Sequence, residues 1–333
     1  MFIIHILILL LALVSCTDTS VPFPVIDNSP SIIRVGNPAN AEATLIGPAR
    51  YLAGRGNPDQ FSFGRFVDAV SGEGKVDVTV ISASFPGGDS STPECDRIIG
   101  LDSVNSCTTL TLLSTEEADH QDAVDLVRKS DIVYFAGGNQ CNYMRWRDSA
   151  VIREVTGLYY RGGGVGGGSA GLAIQGEYVY DGCTGSVQSA EAMANPFDEL
   201  VSLSKGMLPQ GSLEGWITDS HFMERGRLGR LIVFLARIMD DTDLDTWHGI
   251  GLDNNATVVI GADGSAVAFG AATHIVKATR FADTLIPGEP LGISGIEVYT
   301  LRPGDTFTMP VFTPHTTPVY YSVVNGDLII HED

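Results

Sequence analysis

Short apolar runs alternate with helical patterns along the chain, and this alternation limits the possible folds more than any other feature. The apolar runs occupy residues 43–46, 76–83, 131–136 and a glycine-rich segment around Val165. The helical patterns lie near residues 60–70, 116–128 and 148–160. Strands that alternate with helices form a parallel sheet covered on both faces. The sequence therefore predicts an α/β fold, a three-layer sandwich with a mostly parallel sheet, whose binding loops follow the carboxyl ends of the strands.

A longer helix and a β-rich region follow. Five apolar side chains repeat at the spacing of one buried helical stripe: Leu228, Leu231, Ile232, Leu235 and Ile238. This spacing predicts a helix over residues 222–239. From about residue 256 the pattern is typical of strands, in runs at 257–260, 266–269, 296–301 and 319–330. We expect an α/β catalytic domain over residues 41–280 and a C-terminal β extension over residues 281–333.

The N-terminus has the features of a leader. Residues 2–14 are almost unbroken aliphatics, which is too short for a comfortable membrane span but typical of a secretory signal. We expect a signal peptide over residues 1–20, a linker over 21–40, and no membrane span after the signal is removed. The protein would then be secreted or extracytoplasmic. A lipid anchor on Cys16, which ends a lipobox-like Leu-Val-Ser-Cys, and a buried N-terminal element are alternatives.

The remaining cysteines are Cys95, Cys107, Cys141 and Cys183. An even number is consistent with an oxidising compartment and two disulfides. The spacing favours a local Cys95–Cys107 bond, which would leave Cys141 to pair with Cys183. Three connectivities remain open, and so do four free thiols.

Charge limits the partners. The chain has 40 acidic and 20 basic residues, a net charge of −20. This excess argues against nucleic acid or an anionic membrane surface as a partner. An anionic ligand would need a local cluster of cations. We find no Cys/His set with zinc spacing and no phosphate-binding lysine loop, so the sequence predicts neither a metal nor a cofactor.

The segment Gly167-Gly168-Ser169-Ala170-Gly171 has the pattern Gly-x-Ser-x-Gly. Glycines on both sides let the backbone turn sharply from strand to helix and expose the serine hydroxyl beside a backbone N–H. The pattern therefore indicates a nucleophilic serine, although a plain Gly/Ser-rich turn has the same composition.

A serine nucleophile needs a base, and His221 is the histidine with the most suggestive neighbours. It follows the apolar run 216–218, and Arg225, Arg227 and Arg230 come shortly after it. The arginines crowd the start of the predicted helix, where the helix dipole disfavours cations. Either an intramolecular ion-pair network or an anionic ligand held by bidentate contacts would explain them.

Four segments stand in a specific order: Phe135-Ala136-Gly137-Gly138-Asn139-Gln140, the Ser169 pentapeptide, Asp219-x-His221-Phe-x-x-Arg225-x-Arg227-x-x-Arg230, and Gly249-Ile250-Gly251-Leu252-Asp253. Together they resemble the signatures of cyanophycinases, serine peptidases related to dipeptidase E. The resemblance covers about residues 43–270. It implies an α/β fold akin to class I glutamine amidotransferases, and a homodimer is expected from the family.

The resemblance also implies roles for individual residues. Ser169 would be the nucleophile, His221 the general base, and backbone N–H groups near Gly138 and Ala170 the oxyanion hole. The substrate groove would be lined by Gln140, Asp219, Arg225, Arg227 and Arg230. The family has a carboxylate as the third triad member; Glu191 is our prediction for it, Asp181 is the alternative, and Glu191 as a solvated side chain remains open.

Two positions depart from the family pattern. Ser220 stands where Gln is frequent, and Asn254 stands where Glu usually follows the Gly-x-Asp. Both positions are expected to contact substrate. The sequence predicts an exported serine peptidase that hydrolyses an Asp-containing, β-Asp-Arg type peptide through an acyl-enzyme, with a peptide or polypeptide rich in Asp as its partner. The alternatives are an Asp-specific exopeptidase of the dipeptidase E type and a non-catalytic binding protein on the same fold.

Overall fold

A computed structural model describes residues 29–84 and 91–331. The predicted signal peptide and Cys16 lie outside the described residues. Within these ranges the strands are β1 (Ser31–Gly36), β2 (Thr44–Leu45), β3 (Ala49–Ala53), β4 (Ser71–Glu73), β5 (Val76–Ser82), β6 (Val104–Thr111), β7 (Ile132–Phe135), β8 (Gly164–Gly168), β9 (Tyr178–Tyr180), β10 (Leu203–Lys205), β11 (Trp216–Asp219), β12 (Trp247–Leu252), β13 (Ala256–Ile260), β14 (Ser265–Gly270), β15 (Thr273–Ala278), β16 (Ile293–Leu301), β17 (Thr306–Thr308), β18 (Val319–Val324) and β19 (Asp327–His331).

The helices in the same ranges are α1 (Gln60–Val70), α2 (Pro93–Ile98), α3 (Thr115–Ala118), α4 (Gln121–Arg128), α5 (Gln140–Arg145), α6 (Ala150–Tyr160), α7 (Ala170–Ala173), α8 (Ser189–Ala194) and α9 (Leu228–Thr242). Two 3₁₀ turns lie at Gly211–Leu213 and Met223–Arg225. No helix of the described residues combines the length and apolar character that a membrane crossing requires.

Most of the described strands form two large mixed sheets. The first has nine strands in the order β1-β6-β5-β7-β8-β3-β13-β14-β17. Its centre, from β6 to β3, is parallel, and antiparallel strands flank it on both sides. The second has eight strands in the order β10-β9-β11-β12-β15-β16-β18-β19. Only β9, β11 and β12 pair in parallel there.

The α/β class that the sequence predicts is confirmed. The parallel arrangement, however, is confined to the centre of the first sheet and a short part of the second. The alternating pattern predicted one main sheet because it records strand and helix but not which strands pair. Mixed sheets of this kind are common in large α/β proteins.

Helices cover both faces of the first sheet. Phe63 and Phe66 of α1 belong to a core on one face, while Val124 of α4 and Val155 of α6 belong to a core on the other. The two sheets share a third core, which contains Leu52 of β3 and other apolar residues from both sheets: Trp216, Ile250, Val258 and Ile275. The ends of β3, β8, β11 and β12 are thereby brought together.

Helix α1 has the predicted bounds, but two helical predictions need correction. The pattern at 116–128 is broken into α3 and α4, with Asp119 and His120 between them. The helix predicted over 222–239 begins only at Leu228. Gly226 has a left-handed backbone (φ 58°), which ends the preceding 3₁₀ turn and separates it from α9.

Segments at both ends of the chain join the large sheets. Residues 31–36, within the predicted linker, form β1 and pair antiparallel with β6. In the predicted C-terminal extension, β17 joins the first sheet, while β16, β18 and β19 extend the second. The predicted disulfides are confirmed, because Cys95 is bonded to Cys107 and Cys141 to Cys183.

The glycines of β8 are predicted to be essential for folding. A Cβ at Gly167 would lie 2.3 Å from the carbonyl oxygen of Gly171, which is backbone and cannot move aside. Gly167→Ala should therefore lower the free energy of unfolding by at least about 3 kcal/mol, measured by urea denaturation. Gly64→Ala is the matched control, because a Cβ there meets only the far end of Leu101 at 4.0 Å and alanine favours the helix. Equal stability of the two variants would contradict the prediction.

Candidate active site

Ser169 stands at the turn between β8 and α7 in a conformation that serine rarely adopts. Its backbone has φ 54° and ψ −112°. Positive φ in a non-glycine residue is strained and clusters at functional sites. Three backbone hydrogen bonds hold the turn: the Ser169 N–H donates to Ala53 O (3.1 Å), and the N–H groups of Leu172 and Ala173 donate to Ser169 O (3.1 and 3.0 Å).

Close backbone contacts explain why so weak a strand former as glycine fills β8. A Cβ at Gly168 would lie 2.1 Å from Arg55 O, and a Cβ at Gly171 would lie 2.0 Å from Phe135 O. Side chains are therefore excluded on both sides of Ser169. The strand is held instead by parallel pairing with β7 and β3.

His221 reaches the serine from the end of β11. It also has a positive φ (47°), and its N–H donates to Gly54 O at 3.3 Å. The imidazole Nε2 lies 2.8 Å from the Ser169 hydroxyl. A neutral imidazole that accepts this hydroxyl proton carries its own proton on Nδ1. The predicted pairing of Ser169 and His221 is thus present in the geometry.

The second ring nitrogen of His221 is contacted by a side-chain amide and not by a carboxylate. His221 Nδ1 is hydrogen-bonded to Asn254 Oδ1, which fixes the ring. Asn254 follows β12, and its backbone N–H donates to a carboxylate oxygen of Glu224 at 2.8 Å. A neighbouring contact supports the same turn, because the Met223 N–H donates to Asp253 Oδ1 at 3.0 Å.

Neither carboxylate considered from the sequence reaches the imidazole. Glu191, the predicted third member, is exposed, and its Oε2 accepts the backbone N–H of Gln188 at the start of α8 (2.9 Å). Asp181, the alternative, accepts hydrogen bonds from Ser202, Ser204 and the backbone of Cys183. The correction is Asn254, which the sequence pattern marked only as a departure expected to contact substrate.

The surroundings of His221 favour its neutral form. Burial lowers the pKa of the imidazole, the hydrogen bond that Nδ1 donates to Asn254 Oδ1 opposes this, and the positive charges of Arg225 and Arg227 lower the pKa further. The imidazole therefore stays neutral to lower pH than an exposed histidine does.

Two backbone N–H groups face the same cavity as the serine. Gly138 follows β7 with φ 138°, and Ala170 is the first residue of α7. Within residues 29–84 and 91–331, neither N–H donates a hydrogen bond to a backbone or side-chain acceptor. Both N–H groups are therefore free to donate to a bound oxyanion, and their role as an oxyanion hole stays a prediction.

The three arginines differ in whether they form ion pairs within the protein. Arg230 is only 3% exposed and donates from Nε to Asp219 Oδ2 at 2.7 Å, so it forms a buried ion pair. Arg227 donates to Ser220 O (2.6 Å) and lies 3.3 Å from Asp219 Oδ1. Arg225 is exposed and has no ion pair among the described residues. One carboxylate therefore faces three cations, and the excess charge is positive.

These groups surround a cavity of about 320 Å³. It is lined by Ser169, Ala170, Gly138, Gln140, His221, Asp219 and the three arginines, together with a rim at Gly182, Gly185 and Ser186. The Cys141–Cys183 disulfide joins the start of α5 to this rim. Across the described part of the chain, no group of three or more His, Cys, Asp or Glu side chains could hold a metal ion.

The sequence is similar to those of curated cyanophycinases. A curated cyanophycinase from Trichormus variabilis is 30% identical over 182 residues, which are 53% of this chain and 56% of that protein. A cyanophycinase from Synechococcus elongatus is 29% identical over 213 residues, 60% of this chain and 59% of that protein. The chain resembles cyanophycinases. It spans less than two thirds of the length of these cyanophycinase relatives.

A solved structure shows a related fold. The crystal structure of a peptidase from an acI-B1 Actinobacterium matches with a TM-score of 0.52 and 17% identity, covering 79% of this cyanophycinase-like chain and 97% of that one. No family model matches the chain.

The pKa of His221 is predicted to lie below 6.5, the ordinary value for histidine. Arg225→Gln should raise this pKa, because it removes a positive charge that disfavours the imidazolium. NMR titration of the imidazole signals in both proteins measures the shift. Arg153→Gln, an exposed change on α6, is the charge-matched control and should leave the pKa unchanged. A lower pKa in the Arg225 variant would contradict the prediction.

Proposed function

We propose that this chain is an exported serine peptidase of the cyanophycinase type that hydrolyses an Asp-containing, β-Asp-Arg type peptide through an acyl-enzyme. The observation that carries the proposal is the 2.8 Å contact between Ser169 Oγ and His221 Nε2 at a strained strand-to-helix turn. The resemblance to cyanophycinases supports the substrate class. A fold akin to class I glutamine amidotransferases is part of the same proposal.

The reaction follows from the positions of the groups. His221 Nε2 takes the proton of the Ser169 hydroxyl as Oγ attacks the carbonyl carbon. The N–H groups of Gly138 and Ala170 stabilise the resulting oxyanion. The C–N bond then breaks, and His221 returns the proton to the leaving amine. Water, deprotonated by the same imidazole, hydrolyses the acyl-enzyme and restores the serine.

The excess cations of the cavity suit an acidic acyl group. Arg225 forms no ion pair among the described residues, and Arg227 shares one carboxylate with Arg230. An aspartyl carboxylate would supply the missing negative charge through charge-assisted hydrogen bonds. In a chain with a net charge of −20, this local positive charge selects acidic substrates over neutral ones.

A second candidate is an Asp-specific exopeptidase of the dipeptidase E type. The cavity of about 320 Å³ favours it, because this volume lies at the small end of ligand sites and suits a short acyl group. The two candidates differ in their substrates, since the first acts on a polypeptide rich in Asp and the second on short peptides.

Replacing the nucleophile tests the proposal. The wild type should hydrolyse cyanophycin, β-Asp-Arg peptides or α-Asp-x dipeptides, and mass spectrometry of the products identifies which. Ser169→Ala should reduce turnover by at least about 10⁴-fold, because it removes the attacking atom. Circular dichroism should show that the variant is folded. Equal turnover in the two proteins would exclude Ser169 as the nucleophile.

Because Asn254, an amide, contacts His221 Nδ1, replacing it by a carboxylate is predicted to increase activity. Asn254 orients the imidazole but brings no negative charge to the imidazolium that forms during the reaction, whereas the carboxylate of a Ser-His-Asp triad does. Asn254→Asp should therefore raise kcat and move the acid limb of the pH–rate profile to higher pH, because the carboxylate raises the pKa of His221.

Steady-state kinetics between pH 4 and 9 measure both effects. Asn255→Asp adds the same charge one residue further along the chain and is the matched control. A kcat that falls in the Asn254 variant while the acid limb stays in place would contradict the role given to Asn254.

A further inference from the structure

A second cleft lies beside Asn254 and shares no lining residue with the cavity at Ser169. Its volume is about 760 Å³, more than twice that of the cavity at Ser169. Asn254 lines it, and the same side chain holds His221 Nδ1. Other lining residues are Arg55, Arg97, Asp59, Phe61 and Phe269.

The backbone fixes this cleft close to the reacting atoms. The loop that carries Arg55 follows β3, the strand next to β8 in the first sheet. Gly54 O in this loop accepts the His221 N–H, and a Cβ at Gly168 would lie 2.1 Å from Arg55 O. The loop therefore contacts both the strand that presents Ser169 and the residue that serves as its base.

The two cations of the cleft form no ion pair within the described structure. Arg55 and Arg97 are both exposed, and neither forms an ion pair with any described residue. The positive charge of Arg97 does act on the buried carboxyl of Glu94. Asp59 is the acidic residue of the lining, and its Oδ2 accepts the Ser62 N–H at the start of α1. The cleft therefore contains two guanidinium groups and one carboxylate, which is already hydrogen-bonded, so its net charge is positive.

One wall of the cleft is apolar. Phe61 is 69% exposed, and its ring meets Phe269 edge to face at 5.9 Å between centroids. An exposed aromatic pair beside two guanidinium groups suits a ligand with a hydrocarbon portion and a carboxylate.

We propose that this cleft is the leaving-group subsite: it receives the amine side of the scissile bond, and Arg55 and Arg97 bind a carboxylate carried by that portion. The inference rests on the proposed function, because a leaving group exists only if Ser169 is acylated. His221 must protonate the leaving nitrogen, so that portion has to lie beside the imidazole. The first cavity, with Arg225 and Arg227, then holds the acyl portion.

The difference in size supports this division. A cavity of about 320 Å³ holds a short acyl group but not both halves of a longer substrate. The cleft at Arg55, which Asn254 lines, offers the larger volume. A polymeric substrate would extend into it.

The test uses two matched substrates. Each consists of two β-Asp-Arg units joined through the aspartyl backbone, with the carboxylates of the second unit either free or converted to amides. The wild type should cleave the free form with a kcat/KM about tenfold higher or more, as expected for a charge-assisted contact. Arg55→Gln/Arg97→Gln should abolish this preference, so that kcat/KM for the free form falls to the value for the amide form.

Arg65→Gln/Arg153→Gln removes the same charge from exposed sites outside the cleft and should keep the preference. A preference that persists in the Arg55/Arg97 variant overturns the subsite, whereas hydrolysis of both substrates by the wild type leaves the proposed function standing.

Binding separates the two proposals if no hydrolysis occurs. Calorimetric titration of Ser169→Ala with the same two compounds should give about tenfold tighter binding of the free form, or more, and the added Arg55/Arg97 changes should remove the difference. That result, together with a wild type that cleaves neither compound, would refute the peptidase and retain the cleft as a carboxylate site. Equal binding of both compounds by Ser169→Ala overturns the subsite.

Discussion

The site depends on how closely the backbone packs around the turn at Ser169. The loop at Arg55 and strand β7 approach β8 and α7, and β8 and α7 approach each other, so tightly that no side chain fits at Gly167, Gly168 or Gly171. This crowding fixes the direction of the serine hydroxyl before any substrate arrives, and it brings the end of β3 against the same turn. Preorganisation of this kind reduces the reorganisation that accompanies charge formation. The strained φ angles of Ser169 and His221 are maintained because the surrounding sheet holds both residues in place.

Much of the fold could be predicted from local patterns, and the remainder depended on long-range pairing. Helix α1 begins and ends where the pattern places it, and the runs at 76–83 and 131–136 correspond to β5 and β7. The split of the strands between two sheets was missed, because apolar periodicity is the same whichever partner a strand takes. The late start of α9 was missed for a local reason: the apolar repeat does not reveal that Gly226 turns left-handed.

Residue type and order were enough to predict which residues lie together at the site. They were not enough to predict which side chain contacts which. Ser169, His221 and the arginine cluster share one cavity, as the motifs indicate. Glu191 was chosen because a carboxylate between serine and histidine fitted the family pattern, yet its Oε2 stabilises the start of α8 instead. In the part of the chain that the structure describes, no carboxylate contacts the imidazole, and the amide that does so was visible in the sequence only as a departure from a motif. Arg230 likewise proved to be part of a buried ion pair with Asp219.

The bond between Cys141 and Cys183 limits how far two parts of the cavity wall can move apart. Cys141 adjoins Gln140, and Cys183 adjoins Gly182, so the covalent link holds these two neighbouring lining residues together. The link therefore restrains any separation of α5 from the loop that follows β9. In the proposed peptidase, this restraint would add selection by shape to attraction by the arginines, and selection by shape persists at ionic strengths that screen the attraction.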